Sequence, residues 1–437
     1  MPAPEIGLRP LLRLAIPSAI FTVLTNSYRI VDQYFVQGIS VAAQAAVGSS
    51  VFVLILLYAC IELIAAGVGP LMARATGADD ADGRRRLLGA ALAGAAALTL
   101  ILMSLGIVSA PWIAQALGLS GAPANECTRY LRAIAWTLLP LVFTPVVDQS
   151  FLATGNARTP MLLHAFALGL NLVLTPALIY SAGLGITGAG LAANLSRVLP
   201  TAMGLGLLIR LVGLRRTDVR LHGDVIRILR IGAPMAFGTA FFALVYWALL
   251  KTVVSPLGPA VNAALGIGFS GLESLTWPVF HGLSLGVASQ VGRCLGAARP
   301  DLAKQAVRTA LPLASALGVL GSGLFFFGAE RLTALFTQDA AVHRAAIDYA
   351  LILAASQWIL AFEALAEGIL AGAGDTRTVF WFSAPINLLR IPLAWWLAFP
   401  LGWGAAGIWW AINLTTYVKA VLKVWAVWRG RWLRITL

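Results

Sequence analysis

Apolar segments long enough to cross a bilayer recur along most of this chain. A membrane-spanning helix needs about 20 mostly apolar residues, and the 437-residue sequence is 59% hydrophobic and only 11% charged. A soluble domain carries about 25% charged residues, so a chain with so few could not cover a soluble surface of this size. The sequence therefore predicts an integral membrane protein and argues against a soluble enzyme.

Twelve of these segments can be delimited from the sequence alone. We therefore predict an all-α integral membrane protein with twelve transmembrane helices. Their expected bounds are 9–36, 46–71, 87–117, 130–154, 159–182, 186–211, 226–250, 261–291, 306–328, 346–371, 377–399 and 404–428.

The basic residues indicate the orientation of these helices. The chain has 31 Lys and Arg residues against 18 Asp and Glu, a formal net charge of +13. With the N-terminus in the cytoplasm, most basic residues fall on the cytoplasmic side, Lys419 and Lys423 counted among them, as the positive-inside rule requires. This pattern predicts an inner-membrane protein with both termini in the cytoplasm. It favours charges that set topology over a nucleic-acid-binding patch.

An internal repeat divides the chain into two halves. LLRLAIP at Leu11–Pro17 is matched in the second half by ILRIGAP at Ile228–Pro234, and GVGPLMARATGA at Gly67–Ala78 is matched by GVASQVGRCLGA at Gly286–Ala297. Each half has an even number of spans, so both halves enter the membrane from the same side, as parallel transporter repeats do. The sequence predicts two pseudosymmetric six-helix bundles and favours an alternating-access transporter over a channel. The predicted domains are a first bundle, a cytoplasmic linker and a second bundle, at 1–210, 211–225 and 226–437.

The order of further motifs resembles the multidrug and toxic compound extrusion (MATE) transporters over nearly the whole chain. These motifs are IVDQYFVQG in the first span, LATGNARTPM leading into the fifth, LGITGAGLAANLSR in the sixth and GIGFSGLESLTWPVFHGLSLGVASQVGRCLGA in the eighth. The resemblance implies an exporter of bulky, often cationic organic compounds, driven by inward movement of protons or sodium ions.

The first span resembles the DNA-damage-inducible-F-like and archaeal branch of the family more than the NorM-like branch. In that branch an aspartate in the first span is central to ion coupling, and Asp32 matches it, with Tyr28 one turn earlier. The NorM-like branch carries a glutamate in the seventh span, whereas 226–250 contains no acidic residue. Arg29 can also reach Asp32, so two alternatives remain: a carboxylate that exchanges protons, or a permanent Asp32–Arg29 ion pair.

This sequence has only some of the other residues that the resemblance implies for the branch's cation site. The resemblance implies an Asn-x-x-x-Asp pair in the fifth span, where this chain has Asn171 but Thr175 in place of the aspartate. The sixth-span threonine corresponds to Ala193, beside Asn194. Because one carboxylate and one hydroxyl are lost, we expect proton coupling, with sodium as the alternative, and neither cofactor nor metal.

Charged residues within membrane spans are energetically costly and are therefore functional candidates. The repeat divides the remaining ones into those with an ionisable counterpart in the other half and those without. Asp148 matches Glu367, and Glu62 matches His281, so these acids are expected to have structural roles shared by both bundles. Asp148 and Glu367 could satisfy loop amides or an arginine near the cytoplasmic ends. Arg197 is expected to pair structurally with an acid.

Acids without an ionisable counterpart in the other half are better candidates for binding an ion or substrate in one bundle only. Glu273 matches Leu54 and Glu363 matches Thr144. An acid beside aromatic rings suits an organic cation, and Arg390 either neutralises an acid or contacts the substrate. The residues predicted to bind substrate are Glu273, Trp277, Phe280, Glu363, Asn387 and Arg390.

We therefore predict a monomeric, cation-coupled antiporter that exports lipophilic or cationic organic compounds and binds no nucleic acid. One alternative is a lipid-linked saccharide flippase of the same superfamily, which would need a basic cleft that only Arg29, Arg197 and Arg390 could line. A membrane-embedded enzyme is disfavoured because the four histidines and three cysteines are scattered.

Overall fold

The computed structural model describes residues 5–437, and the side chains of Arg29 and Val41 lie outside what it describes. Within this part the chain is almost entirely helical, with fourteen α-helices and no strand. The helices are α1 Leu8–Val36, α2 Val41–Gly77, α3 Ala81–Ala116, α4 Gly121–Trp136, α5 Leu138–Ala153, α6 Arg158–Pro176, α7 Gly185–Val212, α8 Gly223–Leu249, α9 Pro259–Gly266, α10 Glu273–Gly296, α11 Pro300–Ala334, α12 Ala340–Ala373, α13 Thr376–Ala398 and α14 Gly404–Arg429.

Two of the predicted spans consist of two helices each. The fourth is α4 and α5, which meet at an angle of 54°, and the eighth is α9 and α10, joined by a π-helical segment at Ile267–Leu272. By length and composition, eight helices among the described residues can cross a membrane, or nine if the bent pair is one span. The less apolar α10, α13 and α14 carry buried polar side chains, among them Gln290, Arg390 and Lys423.

Contacts group the chain into two units whose limits lie inside α1 and α8. The N-unit is Ile20–Ala236, and the C-unit is Phe237–Leu437 together with the described residues up to Ala19. Each limit follows a proline within the helix, Pro17 in α1 and Pro234 in α8. A proline removes a backbone hydrogen bond from a helix interior, so each helix can leave one unit and enter the other. The domain bounds predicted from the repeat stay a prediction.

Glycines on α2 and α10 allow close helix packing within each unit. In the N-unit, a Cβ at Gly67 of α2 would collide with the carbonyl oxygen of Ile228 on α8. In the C-unit, the repeat counterpart Gly286 of α10 lies against α1, where a Cβ would come within 3.1 Å of the backbone nitrogen of Ala15. Small residues let helix backbones approach closely in membrane proteins, which gives these two matched glycines a packing role.

Replacing Gly67 by alanine is expected to lower the free energy of unfolding by about 1–3 kcal/mol, the usual cost of overpacking. The obstacle is a backbone carbonyl, which cannot rotate away as a side chain can. Thermal unfolding of the purified protein in detergent would measure the loss. Gly206→Ala on α7 is the matched control, because no atom lies within 4 Å of its Cβ position and alanine favours the helix. Equal unfolding temperatures for the two variants would contradict the packing role.

Candidate ion-coupling and substrate sites

The last part of α1 carries Tyr28 and Asp32 into the interior of the N-unit, where they are 4% and 6% exposed. Four residues apart, the two side chains lie on one face of the helix. Arg197 of α7 covers the Tyr28 ring, with Cζ 3.7 Å from the ring centroid, and its charge acts on Asp32. Arg197 is therefore a countercharge for Asp32, whereas the side chain of the predicted partner Arg29 lies outside the described part of the chain.

Several buried polar atoms of α1 and α6 have no hydrogen-bond partner among the described residues. Asn171 and Thr175 of α6 are completely buried, and Asn171 is close enough to act on Asp32. Within the described residues, no hydrogen bond of ordinary geometry reaches either of these side chains, the Tyr28 hydroxyl or Asp32 Oδ1. Each buried polar atom left in this state costs about 1–3 kcal/mol. A small cation or proton bound here would satisfy several of them.

Asn194 of α7 makes its hydrogen bonds to α4 and to the residue that follows it. Its Nδ2 donates to the carbonyl oxygen of Ile134 at 3.0 Å and to Thr137 Oγ1 at 3.1 Å, so the amide ties α7 to α4. In the C-unit, Asn413 of α14 makes the same bond to the carbonyl oxygen of Ile352. A contact that recurs in both units indicates shared architecture, and the predicted ion-coupling role of Asn194 stays a prediction.

Glu273 begins α10 in the C-unit and accepts a hydrogen bond from the hydroxyl of Tyr349 on α12. The Tyr349 ring packs edge-on against Trp409, with ring centroids 4.8 Å apart. Arg390 of α13 acts on Glu273 electrostatically and donates through Nε to Thr415 Oγ1 at 3.0 Å. Glu273 thus has an aromatic partner and a countercharge.

The aromatic residues predicted to accompany Glu273 make other contacts. Trp277 is 41% exposed and stacks on His281 with ring centroids 4.6 Å apart, while Phe280 is buried and points towards Gly321 of α11. The ring that contacts the carboxyl group is that of Tyr349.

An arginine covers a tyrosine in each unit. Arg390 Cζ lies 5.2 Å from the ring centroid of Tyr246 on α8, as Arg197 lies over Tyr28. The repeat that matches Leu11 with Ile228 places Tyr28 opposite Val245, so Tyr246 lies one residue beyond the matching position. Asn387 of α13 matches Asn171, and each has an unpartnered amide oxygen. The two units therefore contain related polar clusters.

Glu363 of α12, predicted to bind substrate, is held by two lysines of α14. Its Oε1 lies 3.2 Å from Lys419 Nζ and 3.0 Å from Lys423 Nζ, and Lys423 also pairs with Glu367 at 2.5 Å. Lys419 and Lys423, which the positive-inside pattern assigned to the cytoplasmic side, are buried against these acids, with 8% and 1% of each residue exposed. The paired i, i+4 spacing of two acids and two lysines was the sequence signal for this contact.

The acids predicted to be structural have partners of different kinds. Glu367 pairs with Lys423, as expected for a structural acid. Asp148 of α5 pairs with His164 of α6, Oδ2 to Nε2 at 2.8 Å; the expected partners were loop amides or an arginine. Glu62 is half-buried on α2. Among the residues that the structure describes, no three His, Cys, Asp or Glu side chains form a metal-binding group.

Comparison with known sequences identifies related transporters. The sequence pattern of the MatE family matches residues 17–177 and 234–396. A probable multidrug resistance protein NorM of Bradyrhizobium diazoefficiens is 26% identical, covering 94% of this chain and 91% of its own. Those of Pseudomonas putida and Thermotoga maritima are 29% and 25% identical, covering 96% and 98% of this chain and 94% of each relative. These names do not support the predicted placement nearer the DNA-damage-inducible-F-like branch.

Solved structures share the fold along nearly the whole chain. A MATE transporter in complex with MaD3S superposes with a TM-score of 0.90 at 21% identity, covering 98% of this chain and 97% of that one. The outward-facing conformation of a MATE transporter of the MOP superfamily gives 0.89 at 21% identity, covering 98% and 96%. The predicted all-α, twelve-span architecture is thereby confirmed.

Proposed function

Because the chain belongs to the MatE family of multidrug efflux transporters, we propose that it exchanges protons for lipophilic or cationic organic compounds by alternating access. Membership of a transporter family also confirms the prediction that it is not an enzyme. The observation that supports proton coupling is Asp32, a buried carboxyl group with one unpartnered oxygen and Arg197 as its countercharge.

A proton on Asp32 has a direct structural consequence. It neutralises the carboxylate and removes its attraction for Arg197, so the contact between α1 and α7 weakens. An ion drives a transport cycle only if it binds one conformation better than the other. Loss of a countercharge from Arg197 on protonation provides such a difference.

Sodium coupling is the second candidate, favoured by one observation. Asp32 Oδ1, Asn171 Oδ1 and Thr175 Oγ1 are all buried and unpartnered, and oxygen atoms of these types are ligands for hard cations. A single carboxylate gives such a site little negative charge, and Arg197 opposes a cation, so we favour the proton.

A lipid-linked saccharide flippase is the third candidate. Buried Lys419 and Lys423 add to the cations counted from the sequence. Glu363 and Glu367 offset these two lysines, and Glu273 offsets Arg390. Among the described residues of the C-unit, these three cations are thus matched by acids, which argues against an anionic lipid headgroup as the substrate group.

The positive-inside pattern supports an inner-membrane protein with cytoplasmic termini, and we propose a monomer without a cofactor. For the branch within the family, Asp32 and the absence of acid from 226–250 favour the DNA-damage-inducible-F-like side, whereas the names of the relatives favour NorM. Transport that depends on Asp32 would support the first placement.

In proteoliposomes, ethidium is expected to accumulate on the acidic side of an imposed pH gradient. Protons leave the acidic side, and an antiporter moves its substrate in the opposite direction. A protonophore is expected to abolish this accumulation, and an imposed sodium gradient is expected to produce none. Liposomes without protein are the control. Accumulation that follows the sodium gradient and survives the protonophore would contradict proton coupling.

A further inference from the structure

The N-unit contains a second buried acid with an unusual partner. Asp148 and His164 are 7% and 4% exposed, and Asp148 Oδ2 lies 2.8 Å from His164 Nε2. Asp148 is near the end of α5 and His164 near the beginning of α6, on either side of a connection that the predicted orientation places in the cytoplasm. A histidine exchanges protons close to neutral pH, so this pair is chemically suited to proton transfer.

Thr25 of α1 is the other partner of His164. Its Oγ1 lies 3.2 Å from His164 Nδ1, and its hydroxyl donates to the carbonyl oxygen of Phe21 at 2.8 Å. A hydroxyl has one proton to donate. In the arrangement in which this proton goes to Phe21, Thr25 can only accept from His164, so Nδ1 carries a proton.

The opposite ring nitrogen must also share a proton. Nε2 and Asp148 Oδ2 are both acceptors when bare, and at hydrogen-bonding distance they would repel each other. A proton therefore lies between them, on one atom or the other. While the Thr25 hydroxyl donates to Phe21, the pair thus holds one proton more than a neutral imidazole and a carboxylate; if that hydroxyl donates to Nδ1 instead, the extra proton is absent.

A small cleft of about 10 Å³ lies against this pair in the N-unit, lined by Asp148 and His164 and also by Arg197. Among the described residues, the charged groups that line this cleft with His164 are Asp148 of α5 and Arg197 of α7. From α1, His164 meets neutral Thr25 and Phe21, whose ring stacks on the imidazole with centroids 5.5 Å apart. The cleft thus joins the pair to the arginine that acts on Asp32.

We propose that His164 and Asp148 form a second protonation site, which receives the proton released by Asp32 and passes it towards the cytoplasm, with Thr25 transmitting its state to α1. The transfer from Asp32 rests on the proposed proton coupling, whereas the protonation of the pair does not.

Release of the proton changes a bond inside α1. When Nδ1 gives up its proton to the cleft, it becomes an acceptor, and the Thr25 hydroxyl turns from Phe21 to donate to it. Nε2–H continues to donate to Asp148, so one proton leaves and every hydrogen bond keeps one donor. Thr25 then no longer bonds the carbonyl four residues earlier, a contact of the kind that bends helices. The shape of α1 thereby responds to the protonation of the pair.

Nitrogen NMR of the histidine rings tests this in the full-length protein in lipid nanodiscs, without substrate or gradient. The chain has only 4 histidines, and His164→Gln identifies the signal in question. The expected result is that the His164 ring changes between a two-proton and a one-proton form as the pH is varied. Asp148→Asn is expected to abolish the two-proton state, and Thr25→Val to displace the transition, which Thr25→Ser restores. His281→Gln is the matched control and should leave the signal unchanged.

A His164 ring that holds one proton at every pH, or a transition that Asp148→Asn leaves unchanged, would overturn the proposal. The same titration in Asp32→Asn separates it from the proposed function. If that variant still couples ethidium transport to protons, the proposal that Asp32 is the coupling residue is wrong. The pH-dependent change of His164 then still decides, by itself, whether the pair is a protonation site. If the transition is present but His164→Gln transports at the wild-type rate, the transfer role is wrong.

Discussion

Replacing Asp32 by asparagine is expected to abolish proton-driven ethidium accumulation in proteoliposomes, to the level of liposomes without protein. Asparagine has nearly the size of a protonated aspartate and no charge, so it mimics the loaded state and cannot release a proton. A proton gradient can drive the cycle only if protons bind one conformation better than the other, and the variant has no such difference at this position. Ethidium binding to the detergent-solubilised variant, measured by fluorescence, is expected to persist, because substrate recognition does not require the proton to leave.

Two further variants separate coupling from damage to the fold. Asp32→Glu retains a proton-exchanging carboxyl group near Arg197 and is expected to keep part of the proton-driven accumulation. Asp348→Asn makes the same chemical change at an exposed acid near the beginning of α12 and is expected to transport like the wild type. A well-folded Asp32→Asn protein that still accumulates ethidium against a protonophore-sensitive gradient would show that coupling uses another residue.

The predictability of the spans and the repeat has a simple physical basis. Membrane thickness sets a minimum length for an apolar segment, and that length can be counted along the chain without knowing what the segment contacts. The bend between α4 and α5 was not visible in this way, because the apolar character of 130–154 continues through it. Gene duplication likewise leaves matching motifs, such as those containing Pro17 and Pro234, in the same order.

Contacts between side chains of different helices could not be predicted from spacing along the chain. Arg197 reaches Tyr28 from a helix that is distant in the sequence, whereas spacing along the chain could suggest only the local partner Arg29. His164 was one of several scattered histidines until the structure paired it with Asp148. Such contacts depend on which face of each helix points inward, and a helix that is apolar nearly all round gives only a weak signal of its buried face.

The lysines of α14 illustrate the same limit for charge counting. The positive-inside rule treats a lysine near a helix end as a topology signal, but a long side chain can also turn inward to an acid. Lys419 and Lys423 do so towards α12. Two acids spaced four residues apart on one helix and two lysines with the same spacing on another favour interior pairing over a solvated end.

Lys423→Met is expected to be among the most destabilising single changes in the C-unit. Lys423 is 1% exposed and lies 3.0 Å from Glu363 and 2.5 Å from Glu367. Removing one partner of a buried ion pair leaves an uncompensated charge, at a cost of about 3–5 kcal/mol. Lys419 still contacts Glu363 in the variant, so the loss falls mainly on Glu367. Thermal unfolding in detergent would measure it.

The double variant Glu367→Gln/Lys423→Met decides whether charge pairing, rather than packing, causes this loss. It removes both charges, so most of the stability lost in Lys423→Met should return, and the double-mutant cycle should give a large interaction free energy. Lys304→Met, at an exposed lysine of α11, is the matched control and should unfold like the wild type. If the double variant is less stable than Lys423→Met, loss of the lysine does not leave Glu367 as an uncompensated charge, and charge pairing is not the cause of the lost stability.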